Sequence, residues 1–215
     1  MTSWNIAHGM ADTWDQVEYI MNLPYFDSYG NEYTVNLGAV DSGDQTDEVY
    51  DFCVYNQDWA VPAKGSSKSM LSRYKISTID KTDSKAYGMR LYIYDGGQYK
   101  DMIAGRLQRP NGPGSWMVYH DCDREYAEQM CSEEKVLEKK GATEVEVWKP
   151  KTVHANNHYL DCEVLAALAA DLLHVRYLQL SDSEKTLESP ARQEKSQDSF
   201  IKQNGSWIKN EGRWL

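Results

Sequence analysis

Short apolar segments that switch between strand-like and helix-like spacing constrain the fold of this 215-residue chain more than any other feature. The strand-like segments are rich in β-branched and aromatic residues, and they include "EYTVNLGAV", "MRLYIYD" and "TEVEVWKP". Between them, apolar residues recur at the spacing of an amphipathic helix, as in "DTWDQVEYIMNL" and in the segments at about 46–57 and 157–178. Strands that alternate with helices predict a layered α/β fold.

Turn and capping residues refine this outline. Thr46 is predicted to cap the helix at about 46–57, and Pro62 is predicted to break the short strand "WAVPAKG". The polar stretch 65–88 predicts a long exposed excursion. The segment "DREYAEQMCSEEKVLEKK" predicts a helix that ends at Gly141.

The composition changes sharply towards the C-terminus. The segment "SDSEKTLESPARQEKSQDSFIKQNGS" is polar, charged and poor in aliphatic residues, so it cannot bury enough apolar surface to offset the entropy of ordering. We therefore predict one domain over 1–178 and a flexible tail over 179–215. The terminal Trp207 and Trp214 are predicted to dock on the domain or on a partner.

Net charge and cysteine usage narrow the possible functions. A net charge of −10 argues against a general nucleic-acid coat, but it leaves open a nuclease, whose metal site needs carboxylates. No apolar run approaches the roughly 18 residues of a membrane span, and "MTSWNIAHGM" lacks the features of a secretory signal. The four cysteines form no CxxC pair, which predicts reduced thiols in a cytosolic protein.

Two aspartates stand at the ends of apolar segments. Asp41 ends a strand at the edge where α/β sheets usually bind ligands, although it is equally suited to cap the following turn. Asp161 lies in an early helical turn, where the helix dipole favours an acid, but the apolar residues around it point it towards the sheet. Two inward carboxylates predict a Mg²⁺ or Mn²⁺ site, with Asp95 at the end of "LYIYD" as a weaker third ligand.

Other candidate residues carry weaker signals. His154 and His158 are four residues apart, but no HExxH pattern or cysteine partner accompanies them, so zinc is disfavoured. Lys64 ends a strand before Gly65, where it can meet a phosphate or lie in solvent. The glycine-rich "DGGQYK" and "NGPGS" match no P-loop.

Six motifs occur together in a known order. They are "AVDSGDQTDEVYDFC", "WAVPAKGSS", "YKDMIAGRLQ", "NGPGSWMVY", "REYAEQMCSEE" and "NNHYLDCEVLAALAA". In order and spacing, over roughly residues 35–175, they resemble the C-terminal nuclease region of lambda-type phage terminase large subunits. The resemblance implies an RNase H-like mixed sheet flanked by helices, with carboxylates that bind two divalent metals for phosphodiester cleavage.

The resemblance also suggests roles for individual residues. Asp41 matches the acid of the family's "DSG" strand, and Asp161 matches the acid of its "LDC" helix. Lys64 matches a lysine in the "KG" segment, which implies a catalytic or DNA-phosphate role. Lys100 and Arg106 match the family's "K…RL" positions, which implies that they contact the DNA backbone.

The implied protein is an endonuclease that cuts concatemeric double-stranded viral DNA in the host cytoplasm. Its implied partners are the terminase ATPase portion, the small terminase subunit and the portal or procapsid, with no membrane involved. The alternative is a non-catalytic terminase fragment that binds DNA, portal or a partner chain. A weaker third possibility is an RNase H-type nuclease unrelated to packaging.

One part of the family pattern has no match in this sequence. The first catalytic aspartate of the family lies on an opening strand of the "GVD" kind, and neither this strand nor the ATPase motor is present. We therefore expect the sheet to lack its first strand and to keep an exposed edge.

Overall fold

Five α-helices and ten strands make up the regular structure of the residues that the computed structural model describes, which are 2–119, 122–141 and 143–178. In chain order they are β1 (Ser3–Asn5), α1 (Trp14–Met21), β2 (Tyr25–Phe26), β3 (Glu32–Tyr33), β4 (Gly38–Asp41), α2 (Thr46–Tyr55), β5 (Ala60–Gly65), β6 (Tyr74–Thr78), β7 (Arg90–Tyr94), α3 (Gly96–Leu107), β8 (Trp116–Val118), α4 (Arg124–Met130), β9 (Glu133–Lys140), β10 (Thr143–Pro150) and α5 (His158–Leu172). A 3₁₀ helix, Val175–Tyr177, follows α5.

A four-stranded mixed sheet forms the centre of the fold. Its strand order is β4-β5-β7-β6, with β4, β5 and β7 parallel and β6 antiparallel to β7. The carboxyl ends of the three parallel strands therefore meet at one edge. Three two-stranded pairs, β1 with β8, β2 with β3 and β9 with β10, complete the strand pairing.

Helices cover both faces of this sheet. On one face, Leu168 of α5 and Tyr99 of α3 share a buried cluster with Ala63 of β5. On the other face, Phe52 of α2 packs in a second cluster with Ala60 of β5, and α1 contributes partly buried side chains to the same cluster. Because apolar side chains leave the strands in both directions, the sheet is buried between two helical layers. The predicted α/β class is confirmed.

Capping differs between the helices. The side chains of Thr13 and Asp123 accept backbone hydrogen bonds at the starts of α1 and α4. The prediction that Thr46 caps its helix is wrong: Gln45 holds the position before α2 in a left-handed conformation, with φ of 46°. Thr46 instead donates its hydroxyl hydrogen to the carbonyl oxygen of Ser42 at 2.9 Å.

Three other local predictions are corrected by long-range strand pairing. The helix predicted over 123–140 ends at Met130, and the rest is β9, which pairs along its whole length with β10. The turn between these strands uses Gly141, whose φ of +66° suits a residue without a Cβ. The stretch 65–88 includes β6, and Pro62 lies inside β5 without breaking it.

The flexible tail predicted over 179–215, with Trp207 and Trp214, lies outside the described residues. Within the described ranges, no helix combines the length and apolar character needed to cross a membrane.

Candidate active site

Asp41 extends from the sheet face that α5 and α3 cover. Strand register pairs Asp41 with Ala63, and Ala63 is fully buried in the cluster that includes α5. Paired residues of neighbouring strands point to the same face. One carboxylate oxygen, Oδ1, accepts the backbone N–H of Gly43 at 3.1 Å, so Asp41 does brace the following turn. Its Oδ2 accepts no hydrogen bond from the described residues and is free for a ligand.

Asp161 lies in the first turn of α5, within a group of polar side chains that we call the carboxylate cluster. This cluster consists of Asp161, Glu133, Asn157 and Lys100. The ammonium of Lys100 lies 2.8 Å from Glu133 Oε1 and 3.1 Å from Asp161 Oδ1. The amide of Asn157 donates to Glu133 Oε1 at 2.8 Å and to Asp161 Oδ2 at 3.0 Å.

The members of the carboxylate cluster differ in their access to water. The side chains of Glu133 and Lys100 are 5% and 13% exposed, whereas that of Asp161 is 48% exposed. Glu133 therefore needs Lys100 and Asn157, because a buried carboxylate without partners is costly. Two carboxylates share one ammonium, so the cluster keeps an excess of negative charge at its exposed end.

The charges of Asp41 and Asp161 both act on the buried Tyr94. Burial raises the pKa of Tyr94, and the negative charges of Asp41 and Asp161 raise it further. Tyr94 belongs to the buried cluster that includes Ala63 of β5 and Leu160 of α5. The shared pocket of Asp41 and Asp161 stays a prediction.

The donor chemistry of this site partly fits a hard divalent ion. Carboxylate oxygens are the ligands that Mg²⁺ and Mn²⁺ prefer, and Asp41 and Asp161 are the candidates to supply them. Within the described ranges, however, no three His, Cys, Asp or Glu side chains are grouped closely enough to hold a metal ion. Lys100 also places a positive charge beside Asp161. The described residues therefore offer two ligands and an internal cation.

Asp95 lies at the same edge of the sheet, but its oxygens already have partners. It caps α3, accepting the backbone N–H of Gln98 at 3.2 Å and of Met70 at 2.8 Å. Burial raises the pKa of Asp95, but the hydrogen bonds from Met70 and Gln98 outweigh burial and lower the pKa below its usual value. A ligand role for Asp95 stays a prediction.

The side chains of Lys64 and Lys100 do not point where a simple contact with DNA at the site of Asp41 and Asp161 would require. Lys64 follows Ala63, so strand alternation turns it to the face opposite Asp41; it is exposed and has no side-chain partner among the described residues. Lys100 is turned inward, to Glu133 and Asp161. The catalytic and DNA-binding roles of Lys64 and the DNA contact of Lys100 stay predictions.

Arg106, the third predicted DNA contact, lies in the last turn of α3 and donates a hydrogen bond to the hydroxyl of Ser3. It is half-buried and lies apart from the carboxylate cluster, in a cleft with other arginines. Its DNA contact also stays a prediction.

Sequence reasoning missed Glu133, Asn157 and Tyr94. Glu133 was hidden because "SEEKVLEKK" consists of good helix formers, and only its pairing with the equally long β10 makes it a strand. The signal that identifies it is two alternating segments of equal length on either side of Gly141.

Comparison with known families gives one match. The family model described as the endonuclease domain of the terminase large subunit gpA matches residues 2–183. Comparison with curated proteins and with solved structures finds no match. The family match includes Asp41, Asp161 and every other member of the carboxylate cluster. The chain belongs to the family of terminase large subunit gpA endonuclease domains, and its general role is that of a nuclease in phage DNA packaging.

Proposed function

We propose that this domain cuts concatemeric double-stranded phage DNA with Mg²⁺ or Mn²⁺ as its cofactor. The observation that carries the proposal is that Asp41 ends β4 on the sheet face that α5 covers, and that Asp161 lies in the first turn of α5. Membership of the endonuclease family supports phosphodiester cleavage as the reaction.

Asp41 and Asp161 would hold the divalent ion. Such an ion, when bound, supplies the charge that activates water and stabilises the leaving oxygen. The rest of the chemistry belongs to the protein. Lys100 and Asn157 fix both oxygens of Asp161, so this carboxylate is oriented before a ligand arrives and loses little freedom on binding.

The remaining predicted ligands complete the proposal. Lys64 would bind a phosphate at the end of β5, and Asp95 is the third candidate ligand if the hydrogen bond from Met70 is released. We infer an RNase H-like arrangement, because a mixed sheet with helices on both faces brings carboxylates to one edge.

The sheet also offers a place for a further strand. Among the described residues, β4 lies at the edge of the four-stranded sheet, with Asp41 at its end. A strand added beside β4 would bring its own carboxylate next to Asp41. The terminase ATPase portion, the small terminase subunit and the portal or procapsid are the proposed partners, in the host cytoplasm.

A second candidate function is a non-catalytic module that binds DNA, portal or a partner chain. It is favoured by Lys100, which neutralises the buried end of the carboxylate cluster without any metal. A cluster that is stable by itself can persist in a domain that no longer cuts DNA.

A plasmid-nicking assay separates the two functions. The purified chain is incubated with supercoiled plasmid and Mn²⁺, Mg²⁺ or EDTA, and with an RNA–DNA hybrid as a second substrate. The nuclease proposal expects nicking of the plasmid with either ion, stronger with Mn²⁺ because Mn²⁺ gives up its water more readily than Mg²⁺. No nicking with either ion would support the non-catalytic module, and preference for the hybrid would exclude a packaging substrate.

A further inference from the structure

Four arginines from separate parts of the chain converge on one open cleft. Arg73 precedes β6, Arg106 lies in the last turn of α3, Arg109 follows α3, and Arg176 belongs to the 3₁₀ helix after α5. Together they line a cavity of about 670 Å³. We call this group the arginine cleft.

The arginine cleft has more positive than negative charge. Arg73 and Arg176 share Asp171, at 3.2 Å and 2.7 Å. Arg106 and Arg109 form no ion pair with any carboxylate in the described part of the chain. This local excess stands out in a chain with a net charge of −10.

Among the described residues that line the arginine cleft, the one acid already has partners of its own. Asp101 lies at the cleft, but its Oδ1 is 3.0 Å from the ammonium of Lys135, which also lies 2.7 Å from Glu146. The indole N–H of Trp148 donates to the same oxygen at 2.9 Å. Asp101 is therefore held away from Arg106 and Arg109 by partners outside the cleft.

The surroundings of Arg106 disfavour its positive charge. Burial lowers the pKa of Arg106, and the charges of Arg176 and Arg73 lower it further, while Asp171 opposes them. A guanidinium nevertheless stays protonated in proteins. Asp171 offsets only part of the positive charge around Arg106, and an anion bound in the cleft would offset more of it.

Two glycines shape the arginine cleft. Gly105 lies on the cleft side of α3, and a Cβ at this position would have no atom within 4 Å, so the floor is open. Gly114 has φ of +83°, and a Cβ there would meet Arg109 Nη1 at 2.5 Å. The absence of a side chain at Gly114 lets the guanidinium of Arg109 lie against the backbone.

The cleft continues into a second cavity of about 680 Å³. The two cavities share Arg73 and Arg176, and the second adds Lys75 and the rings of Tyr74 and Tyr177. A groove with repeated cations suits an extended polyanion better than a single small anion. Arginine also binds phosphate oxygens through two parallel N–H donors.

We propose that the arginine cleft binds the phosphodiester backbone of DNA at a site separate from Asp41 and Asp161. It holds the duplex while the carboxylate site acts on one bond. The choice of DNA as the polyanion rests on the proposed function, whereas the binding of a phosphate backbone rests on the cleft itself.

Metal-free DNA binding tests this proposal independently of cleavage. The full chain is titrated against a labelled 30-base-pair duplex in EDTA, by fluorescence anisotropy, at several salt concentrations. The variants are Arg109→Glu and the double variant Arg106→Gln/Arg109→Gln. Each lost phosphate contact should weaken binding on the order of tenfold at 0.1 M salt and reduce the salt slope by about one.

The matched control is Arg124→Glu. Arg124 is 90% exposed on α4 and pairs with Glu128, away from the arginine cleft. Arg124→Glu therefore changes the net charge as much as Arg109→Glu does, but leaves the cleft unchanged. The side chain of Arg109 is exposed and has no hydrogen-bond or ion-pair partner within the described ranges, so Arg109→Glu should keep the melting temperature of the wild type.

The outcomes separate this proposal from the nuclease proposal. Weaker binding by the cleft variants, with Arg124→Glu unchanged, supports the arginine cleft whether or not the chain nicks plasmid. Wild-type affinity and salt slope in both cleft variants would overturn it, and would indicate that an acidic segment or a protein partner neutralises these arginines. Loss of nicking without loss of binding would instead concern Asp41 and Asp161 alone.

Discussion

Helix α3 contributes to two charged regions, one with an excess of carboxylates and the other with an excess of arginines. In the carboxylate cluster, Lys100 of α3 places an ammonium between Glu133 and Asp161. In the arginine cleft, Arg106 of the same helix shares a cavity with three other arginines and forms no ion pair among the described residues. The buried end of the first region is balanced from within, whereas the second keeps an excess of positive charge that an anion from outside would offset.

The difference indicates which region depends on a ligand. Breaking a balanced buried group destabilises the fold, because a charge is left without a partner. Removing the charge of Arg109, whose side chain has no ion-pair partner among the described residues, should leave the fold unharmed and weaken only what binds in the arginine cleft. Stability and binding measurements on the same variants therefore distinguish the two regions.

The largest expected effect is on cleavage, through Asp161→Asn. The amide keeps the volume of the side chain but removes an anionic ligand. Metal-dependent nicking should fall by more than the roughly 10- to 100-fold that is lost when the partners of a metal ligand are changed. Plasmid nicking with Mn²⁺ and Mg²⁺ measures the effect.

Asp47→Asn is the matched control, because Asp47 is exposed on α2 and pairs only with Lys81 within the described ranges. It should cut at the wild-type rate. Full cleavage by folded Asp161→Asn protein would contradict a metal-ligand role for Asp161. The carboxylate cluster would then have no chemical role to compare with the arginine cleft.

The next effect is on stability, through Lys100→Met. This change keeps the apolar stem but leaves Glu133 buried beside Asp161 without a cation. We expect the free energy of unfolding to fall by about 3 kcal/mol, measured by urea denaturation. Mn²⁺ should raise the melting temperature of this variant more than that of the wild type, because two carboxylates then lack their internal cation.

The double variant Lys100→Met/Glu133→Gln tests the cause. If the loss comes from an unpaired buried charge, removing that charge restores part of the stability. A loss of less than about 1 kcal/mol in Lys100→Met, with no additional response to Mn²⁺, would show that the cluster does not depend on its lysine.

A smaller expected effect is on the pH dependence of stability, which contributes to the stability measurements on variants of both regions. Burial lowers the pKa of His8 below its usual value, although the nearby Asp123 and Glu125 raise it. The unfolded chain therefore takes up the proton first, and the contribution of His8 to stability, present above about pH 6.5, is lost as the pH falls below that value. In His8→Gln, the slope of unfolding free energy against pH between about 6.5 and 5 should flatten. An unchanged slope would assign this pH dependence to another group.

The smallest effect is at the floor of the arginine cleft. Gly105 lies in the interior of α3, and no atom lies within 4 Å of the Cβ position. Gly105→Ala should stabilise the protein by about 0.5–1 kcal/mol, because glycine lowers helix stability. Urea denaturation measures this gain, and a loss of stability would show that the cleft closes over Gly105 in solution.

Parts of this organisation can be predicted from the sequence, and the reasons are local. Asp41 and Asp161 stand out because each interrupts an apolar pattern whose period fixes the face on which the residue lies. Glu133 does not, because its strand is formed by good helix formers and exists only through pairing with β10. Long-range pairing overrides helix propensity in this way.

The arginine cleft is invisible in the sequence for a different reason. Arg73 and Arg176 are far apart in the chain and meet through Asp171, after α5 has packed against α3. No periodic spacing in the sequence predicts that these residues lie close together. Arg106 was identified only by resemblance to the family, without its neighbours.

The edge strand β4 has a consequence for how the protein behaves in solution. The backbone N–H groups of Gly38 and Ser42 donate towards β5, so those of Ala39 and Asp41 point outward, where a second molecule can pair with them. This edge is only four residues long, and the net charge of −10 keeps molecules apart. Added salt screens that repulsion and promotes self-association, while the same salt weakens DNA binding in the arginine cleft. A single salt titration therefore moves the two processes in opposite directions.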